Sequence, residues 1–197
     1  MHRILSVLLL AAFAVSAHAQ TPVRVRGSVE KIDGLALTVK TRGGESVAIR
    51  LAEKYVVAGV VPASLADVTP GKFIGTATLG QKDGTLVALE VLIFPEAMRG
   101  ANEGHYPWDL QPESLMTNAT VADVATGAKD RTLTLKYKDG EKKVLVPEGV
   151  PIVTFVPAER SELKPGAHIF AGTVRQPDGS LTAGRVNVGL NGLVPPM

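Results

Sequence analysis

The sequence predicts an all-β fold of two tandem small β-barrels joined by an ordered, irregular connector. Three observations support this prediction. The 197 residues include 20 Gly and 13 Pro spread along the chain, and this density of turn-forming residues suits many short strands better than long helices. Between the turns, polar and apolar residues alternate, as expected for strands with one buried face. Finally, three ordered segments recur at a spacing near 95 residues, which indicates a duplicated unit.

The first 19 residues are expected to be a secretory signal peptide. Residues 1–3 are a short basic beginning, residues 4–15 are an apolar run, and residues 17–19 (Ala-His-Ala) match the small-residue pattern of a cleavage site. The apolar run is shorter than the roughly 20 residues that span a bilayer. Cleavage after Ala19 would make Gln20 the first residue of the mature chain. Because the chain has no Cys that could carry a lipid after cleavage, we expect the mature chain to be released. It should be located in the periplasm or secreted, without membrane insertion.

The composition excludes several classes of function. One of the 21 Lys and Arg residues, Arg3, is lost with the signal peptide, so the mature chain has 20 basic residues against 19 Asp and Glu. These charges are interspersed, whereas binding to nucleic acid needs a clustered excess of basic residues. We therefore expect no nucleic-acid partner. The lack of cysteine also excludes disulfides, Cys-based zinc sites, iron–sulfur clusters and thiol nucleophiles.

The first barrel, residues 20–94, is expected to contain five strands and one short helical turn. Alternating segments flank the Asp33-Gly34 dipeptide, which is a hairpin signal, and a second hairpin turn follows at residues 42–45. Residues 63–68 are expected to form the helical turn. Five short strands with one such turn are typical of an OB-like or related small barrel, whose closure removes exposed sheet edges. The predicted strands are residues 23–32, 35–41, 46–51, 72–79 and 86–94.

The second barrel is expected at residues 118–197. A spacing near 95 residues indicates a duplicated domain, because the units of a solenoid repeat every 20–50 residues or so. Each match joins turn residues to an alternating strand, so both copies should form the same elements. The matched segments are residues 37–45 with 133–141, 65–76 with 160–173, and 83–88 with 178–183.

Four short motifs summarise the repeated pattern. They are Gly-x-Val-x-x-Ile-Asp-Gly, Leu-x-Val-x-Thr-x-x-Gly-x-x-Val, Leu-x-x-Val-x-Pro-Gly and Asp-Gly-x-Leu-x-Ala. Together they resemble a family of secreted bacterial OB-like β-barrel repeats described as a domain of unknown function. The resemblance implies a tandem barrel fold and secretion. It implies no catalytic residues, because the motifs consist of turns and strand alternation.

The connector between the two barrels, residues 95–117, departs from the strand pattern. It is longer than the roughly 12–15 residues of an ordinary connection. It contains the only Trp of the chain, Trp108, together with Tyr106 and several large apolar residues, whereas flexible linkers are depleted in such side chains. We therefore expect the connector to be ordered and to pack against one or both barrels.

The connector also contains the candidate ligand-binding residues. Tyr106 and Trp108 can provide surfaces on which a sugar or a peptide stacks, and the guanidinium of Arg99 can bind a carboxylate. The ligand itself is not identified by these residues. The complete set of candidates is Arg99, Glu103, His105, Tyr106, Trp108 and Asp109.

Three of these residues can alternatively form a metal site. Glu103, His105 and Asp109 combine two carboxylates with an imidazole, and such a set can hold a divalent metal. Good transition-metal sites generally contain several His or Cys ligands, so the pattern is less specific than a helical His-Glu-x-x-His motif. Chains with a segment like residues 94–118 are also similar to proteins described as metal transport permeases.

The expected function is non-enzymatic. The sequence contains no Gly-x-Ser-x-Gly elbow and no phosphate-binding glycine loop, and the mature chain has two histidines. We expect a periplasmic binding or scaffolding protein, whose partner is a periplasmic protein or a small ligand and whose cofactor, if any, is not specified. The alternative is a periplasmic metal-binding accessory protein associated with a metal transporter.

Overall fold

The protein is all-β, as the sequence predicts. The computed structural model describes residues 22–126 and 130–197, and the predicted signal peptide, residues 1–19, lies outside the described residues. Within these two ranges, no helix is long and apolar enough to cross a membrane. The strands are β1 (Pro22–Asp33), β2 (Ala36–Thr41), β3 (Ser46–Pro62), β4 (Phe73–Gly80), β5 (Leu86–Ile93), β6 (Gly104–Pro107), β7 (Leu115–Thr126), β8 (Asp130–Tyr137), β9 (Gly140–Pro147), β10 (Ile152–Pro157), β11 (His168–Arg175) and β12 (Leu181–Gly189).

Short 3₁₀ turns separate some of these strands. They span Leu65–Asp67, Glu96–Met98, Arg160–Glu162 and Leu190–Gly192. The first lies inside the helical turn predicted at residues 63–68. Its beginning is fixed by the Asp67 carboxylate, which accepts hydrogen bonds from the backbone N–H and the hydroxyl of Ser64, both at 2.8 Å.

The first closed barrel contains strands β1, β2, β3, β12 and β11. Strand β2 pairs antiparallel with β1 and β3, and β11 pairs antiparallel with β1 and β12. The ring is closed where β12 runs parallel to β3. A closed five-stranded barrel is therefore present, but two of its strands, β11 and β12, are not among those predicted for residues 20–94. Its interior is filled mainly by Val25, Val29, Leu37, Val39, Ile49, Leu51, Ile169, Val186 and Val188.

The remaining strands form a second circuit of pairings. Strand β4 pairs antiparallel with β5 and β7, and β8 pairs antiparallel with β7 and β9. The circuit is completed by two parallel residue pairs between β5 and β9, Leu86 with Val144 and Val87 with Leu145. Its interior is mainly Ile74, Val91, Ala119, Val121, Leu133, Leu135, Val144 and Val146.

The two circuits exchange strands between the predicted repeats. The barrel combines β1–β3 from the first half of the chain with β11 and β12 from the second, and the second circuit combines β4 and β5 with β7–β9. The finer prediction of two tandem OB-like barrels, each folded from residues 20–94 or 118–197 alone, is therefore not confirmed. The physical reason is that strands with matching sequence patterns have similar edges and the same alternation, so the pattern does not specify which strand lies beside which.

The halves meet at an antiparallel pairing between β3 and β10. Val60 lies opposite Phe155 there, and these two residues are one repeat spacing apart in the sequence. Two parallel pairs are related in the same way: Val57 pairs with Val186, and Ile152 pairs with Val91. Ile152 lies one repeat spacing after Val57, and Val186 lies one repeat spacing after Val91. Strand β3 was predicted to end at residue 51 and continues to Pro62, because its second half pairs with β12 and β10, which are distant in sequence.

Strand exchange predicts that neither half of the chain folds alone. A fragment of residues 22–94 contains β1–β5 but not the β11, β12 and β7–β9 strands that complete both circuits. We expect it to lack cooperative unfolding when monitored by circular dichroism. Mixing it with a fragment of residues 95–197 should restore a cooperative transition. A stable, cooperative fragment 22–94 would contradict the exchange and would support the tandem arrangement.

Candidate functional site

One end of the connector contacts the second circuit. Strand β6 pairs antiparallel with β7, along the edge of β7 that does not pair with β4. The His105 ring stacks on Tyr137 with 6.4 Å between ring centroids, and its Nδ1 lies 2.8 Å from the Thr117 hydroxyl oxygen. The Glu103 carboxylate accepts a hydrogen bond of 3.0 Å from the Lys138 backbone N–H. These contacts hold β6 beside the end of β8.

The other end of the connector contacts the barrel. The Arg24 guanidinium lies 3.8 Å from the centre of the Trp108 ring, in cation–π geometry. Arg26 donates a 2.7 Å hydrogen bond to the Asp109 carboxylate, and an Arg24 nitrogen lies 3.6 Å from the same oxygen. Burial alone would raise the pKa of Asp109, but the Arg26 hydrogen bond and the charges of Arg26 and Arg24 outweigh it and lower that pKa. Asp109 is therefore ionised at neutral pH.

A small cavity lies between the barrel and the second circuit, beneath the connector. Its volume is about 170 Å³. Both halves of the chain and the connector contribute to its wall, which is largely aromatic and methionine side chains with a few polar groups. The lining residues are Gly75, Glu90, Leu92, Phe94, Met98, Asn102, Tyr106, Trp108, Met116, Asn118, Phe155, Phe170, Arg185, Asn187 and Met197.

Glu90, on β5, is the most unusual residue of this wall. Its side chain is fully buried, with 0% of its surface exposed. One carboxylate oxygen accepts a 2.9 Å hydrogen bond from the Ala77 backbone N–H, whereas the other, Oε2, has no partner among the described residues. Burial raises the pKa of Glu90 to about 7, although the Ala77 hydrogen bond and the charge of Arg26 oppose this rise. The carboxyl therefore exchanges its proton near neutral pH.

Two further lining residues have an unpartnered polar atom. The Asn118 amide nitrogen donates to the Ala101 carbonyl and to the Tyr106 hydroxyl, both at 3.1 Å. Its carbonyl oxygen, Oδ1, has no partner among the described residues, and neither does the indole nitrogen of Trp108. Most buried polar groups in proteins are hydrogen-bonded, so three unpartnered atoms around one cavity indicate a site for a ligand or ordered water.

Arg185, on β12, supplies a positive charge to the cavity wall. Its Nε donates a 2.9 Å hydrogen bond to Asn187, and its guanidinium lies 5.0 Å from the centre of the Phe155 ring. Burial lowers the pKa of Arg185. None of the ion pairs found within the described ranges includes this residue.

Sequence analysis identified two of these lining residues and missed the most informative one. Tyr106 and Trp108 were predicted as stacking surfaces, and both line the cavity. Glu90 was not predicted as a site residue. A signal was nevertheless present, because Glu90 is the single charged residue between Asp83 and Glu96, and a lone carboxylate in an apolar strand is expected only where it has a partner or a function.

The other candidates have structural partners. Arg99, predicted to bind a ligand's carboxylate, donates 2.8 Å hydrogen bonds to Glu96 and to the Gly71 carbonyl. Of the predicted metal ligands, Glu103 accepts a hydrogen bond from the Lys138 backbone and His105 contacts Thr117 of β7. Asp109 is paired with two arginines of β1. Across residues 22–126 and 130–197, no group of three or more His, Asp or Glu side chains is placed to hold a metal ion.

Comparisons with protein-family models, with curated proteins and with solved structures find no match to this chain. The assignment of a function therefore depends on the cavity and on the side chains around it.

Asp109→Ala should destabilise the protein by about 1 kcal/mol and lower its melting temperature by about 2–4 °C. The substitution leaves the Arg24 and Arg26 guanidiniums beside one another without their carboxylate, and the emission of Trp108 should change as its contact with Arg24 loosens. Asp33→Ala is the control, because the Lys31–Asp33 pair is about three-quarters exposed and should contribute little. Equal melting temperatures for wild type and Asp109→Ala would contradict the role of this contact.

Glu90 should make stability depend on pH. The pKa of its carboxyl is about 7 in the folded protein, against an ordinary value of 4.5. Between these two pH values the folded state therefore keeps a proton that the unfolded state loses. Stability should fall as the pH rises through this window, by about 2–3 kcal/mol, and then level off. Urea denaturation at pH 5 and pH 8 measures the change. Glu90→Gln should remove this slope; an identical slope in the variant would assign it to other groups.

Proposed function

We propose that the protein is a secreted, non-enzymatic binding protein that holds a small molecule in the cavity between the barrel and the second circuit. The observation that carries the proposal is Glu90, a residue of the cavity wall whose buried carboxylate has an oxygen without a partner among the described residues. Burying such a group costs several kcal/mol unless something satisfies it. A bound molecule can satisfy it, and the cost is then recovered as affinity.

The size and the lining of the cavity support this function. A cavity of about 170 Å³ is close to the roughly 150 Å³ of engineered protein cavities that bind one benzene ring. Because Glu90 has no exposed surface, a ligand reaches it when neighbouring side chains move. The side chains of Met98, Met116 and Met197 are unbranched and adaptable, which suits such movement.

The non-enzymatic part of the proposal follows from what the cavity wall contains. Its one carboxyl side chain, that of Glu90, is accompanied by amides, aromatic rings and Arg185, and no hydroxyl nucleophile with an adjacent base is found around it in the described residues. Secretion is proposed from the basic, apolar and Ala-His-Ala pattern of residues 1–19. The geometry does not favour the metal-binding alternative, because Asp109 is held by Arg24 and Arg26.

Thermal melts with a panel of single-ring molecules test this function. A ligand that binds the folded protein alone, at 100 times its Kd, should stabilise it by about 2.7 kcal/mol and raise the melting temperature by about 5–10 °C. Met98→Trp replaces a thioether of the cavity wall by a bulky indole ring that fills the cavity, so it should abolish the shift. Circular dichroism is the appropriate measurement, because the substitution adds a second indole.

Ala97→Trp provides the matched control for this experiment. Ala97 belongs to the same 3₁₀ turn, is exposed and does not line the cavity, so this variant should retain the full ligand-induced shift. If no member of the panel raises the melting temperature of the wild type, or if Met98→Trp and Ala97→Trp behave alike, the cavity is not the binding site.

A further inference from the structure

We propose that the ligand of this cavity is an uncharged single-ring molecule bearing one group that both donates and accepts hydrogen bonds, as a primary carboxamide does. This inference rests on the proposed function and adds the chemical class of the ligand. It is argued from the hydrogen-bonding capacity that remains unused at the cavity wall, from the charges around it and from its volume.

The unused hydrogen-bonding atoms are two acceptors and one donor. Oε2 of Glu90 and Oδ1 of Asn118 are acceptors, and Nε1 of Trp108 is a donor. The orientation of the Asn118 amide is fixed, because its nitrogen donates to the Ala101 carbonyl, which can only accept. A group that offers two N–H hydrogens and one carbonyl oxygen complements this set, and a primary carboxamide offers both.

The charges around the cavity favour a neutral ligand. An anionic ligand would place its oxygens against two acceptor oxygens, those of Glu90 and Asn118. A cationic ligand would be attracted by Glu90 once that carboxyl is ionised, but its charge would be opposed by the Arg185 guanidinium of the wall and by Arg26, whose positive charge already acts on Glu90. Either ion would also lose its hydration in a largely apolar cavity. A neutral group avoids both costs.

The aromatic wall accounts for the ring. Phe94 lies in edge geometry to Phe155, with 6.2 Å between centroids, and Trp108 lies 6.4 Å from Phe170. Aromatic side chains at such distances favour offset or edge contacts with another ring. The volume of about 170 Å³ leaves space for one ring and its polar substituent rather than for a fused system.

Four probes of nearly equal size test the chemical class: benzamide, benzoate, benzylamine and toluene. Their dissociation constants are measured by isothermal titration calorimetry at pH 8, where Glu90 is ionised. Two or three additional hydrogen bonds, one of them to the ionised Glu90 carboxylate, should make benzamide bind at least about 10-fold more tightly than toluene. Benzoate and benzylamine, the anion and the cation, should bind more weakly than benzamide.

Variants assign the preference to the named atoms. Glu90→Gln keeps the acceptor for the Ala77 N–H and replaces Oε2 by an N–H donor, so it should weaken benzamide by about 10-fold and leave toluene unchanged. Trp108→Phe keeps an aromatic side chain, although a smaller one, and removes the N–H, so it should weaken benzamide several-fold relative to toluene and provides the same test if Glu90→Gln does not fold. Glu53→Gln, an exposed site remote from the cavity wall, is the control and should bind all four probes as the wild type does.

The outcomes separate this inference from the proposed function. Tightest binding of benzamide, reduced by Glu90→Gln and by Trp108→Phe, supports both. If toluene, benzoate or benzylamine binds as tightly as benzamide or more tightly, the inferred class is wrong while the proposed binding function stands. If none of the four probes binds to the wild type, the inference fails, and the panel of melts described above decides whether the function fails with it.

Discussion

The closing of each circuit by strands from the opposite half of the chain is the constraint on which the rest of the structure depends. Strands β11 and β12 complete the barrel begun by β1–β3, and β4 and β5 complete the circuit that contains β7–β9. This exchange brings the second half of β3 against β10. The cavity lies at the same junction, so its wall includes Leu92 from one half and Phe155 from the other.

The two circuits share one asymmetric cavity, because positions one predicted repeat spacing apart carry different residues. Leu92 of β5 lies opposite Gly75 of β4, and one repeat spacing later Asn187 of β12 lies opposite Phe170 of β11. Glu90 likewise corresponds to the position of Arg185. The interior positions of the strands remain apolar in both halves, so the differences at these outward-facing positions leave the closure of the circuits intact.

The connector joins the two circuits and at the same time forms part of the cavity wall. Its Trp108 and Asp109 bind the arginines of β1, while His105 binds the second circuit. Beneath it, Glu90 retains a carboxylate at a free-energy cost of about 3 kcal/mol relative to its ordinary pKa. Groups that reduce stability in this way concentrate at functional sites, which is why the cavity, rather than the exposed connector carboxylates, is proposed as the binding site.

The sequence by itself determined the all-β class and most strand positions, because alternation and turn residues are local properties of the chain. It also identified Tyr106 and Trp108 as side chains of interest, through their unusual place in a connector. Only the tertiary structure decided the exchange of strands, the continuation of β3 to Pro62 and the burial of Glu90 at a cavity. Those features depend on which distant segments become neighbours, and the matched segments of the sequence present nearly the same local pattern to either partner.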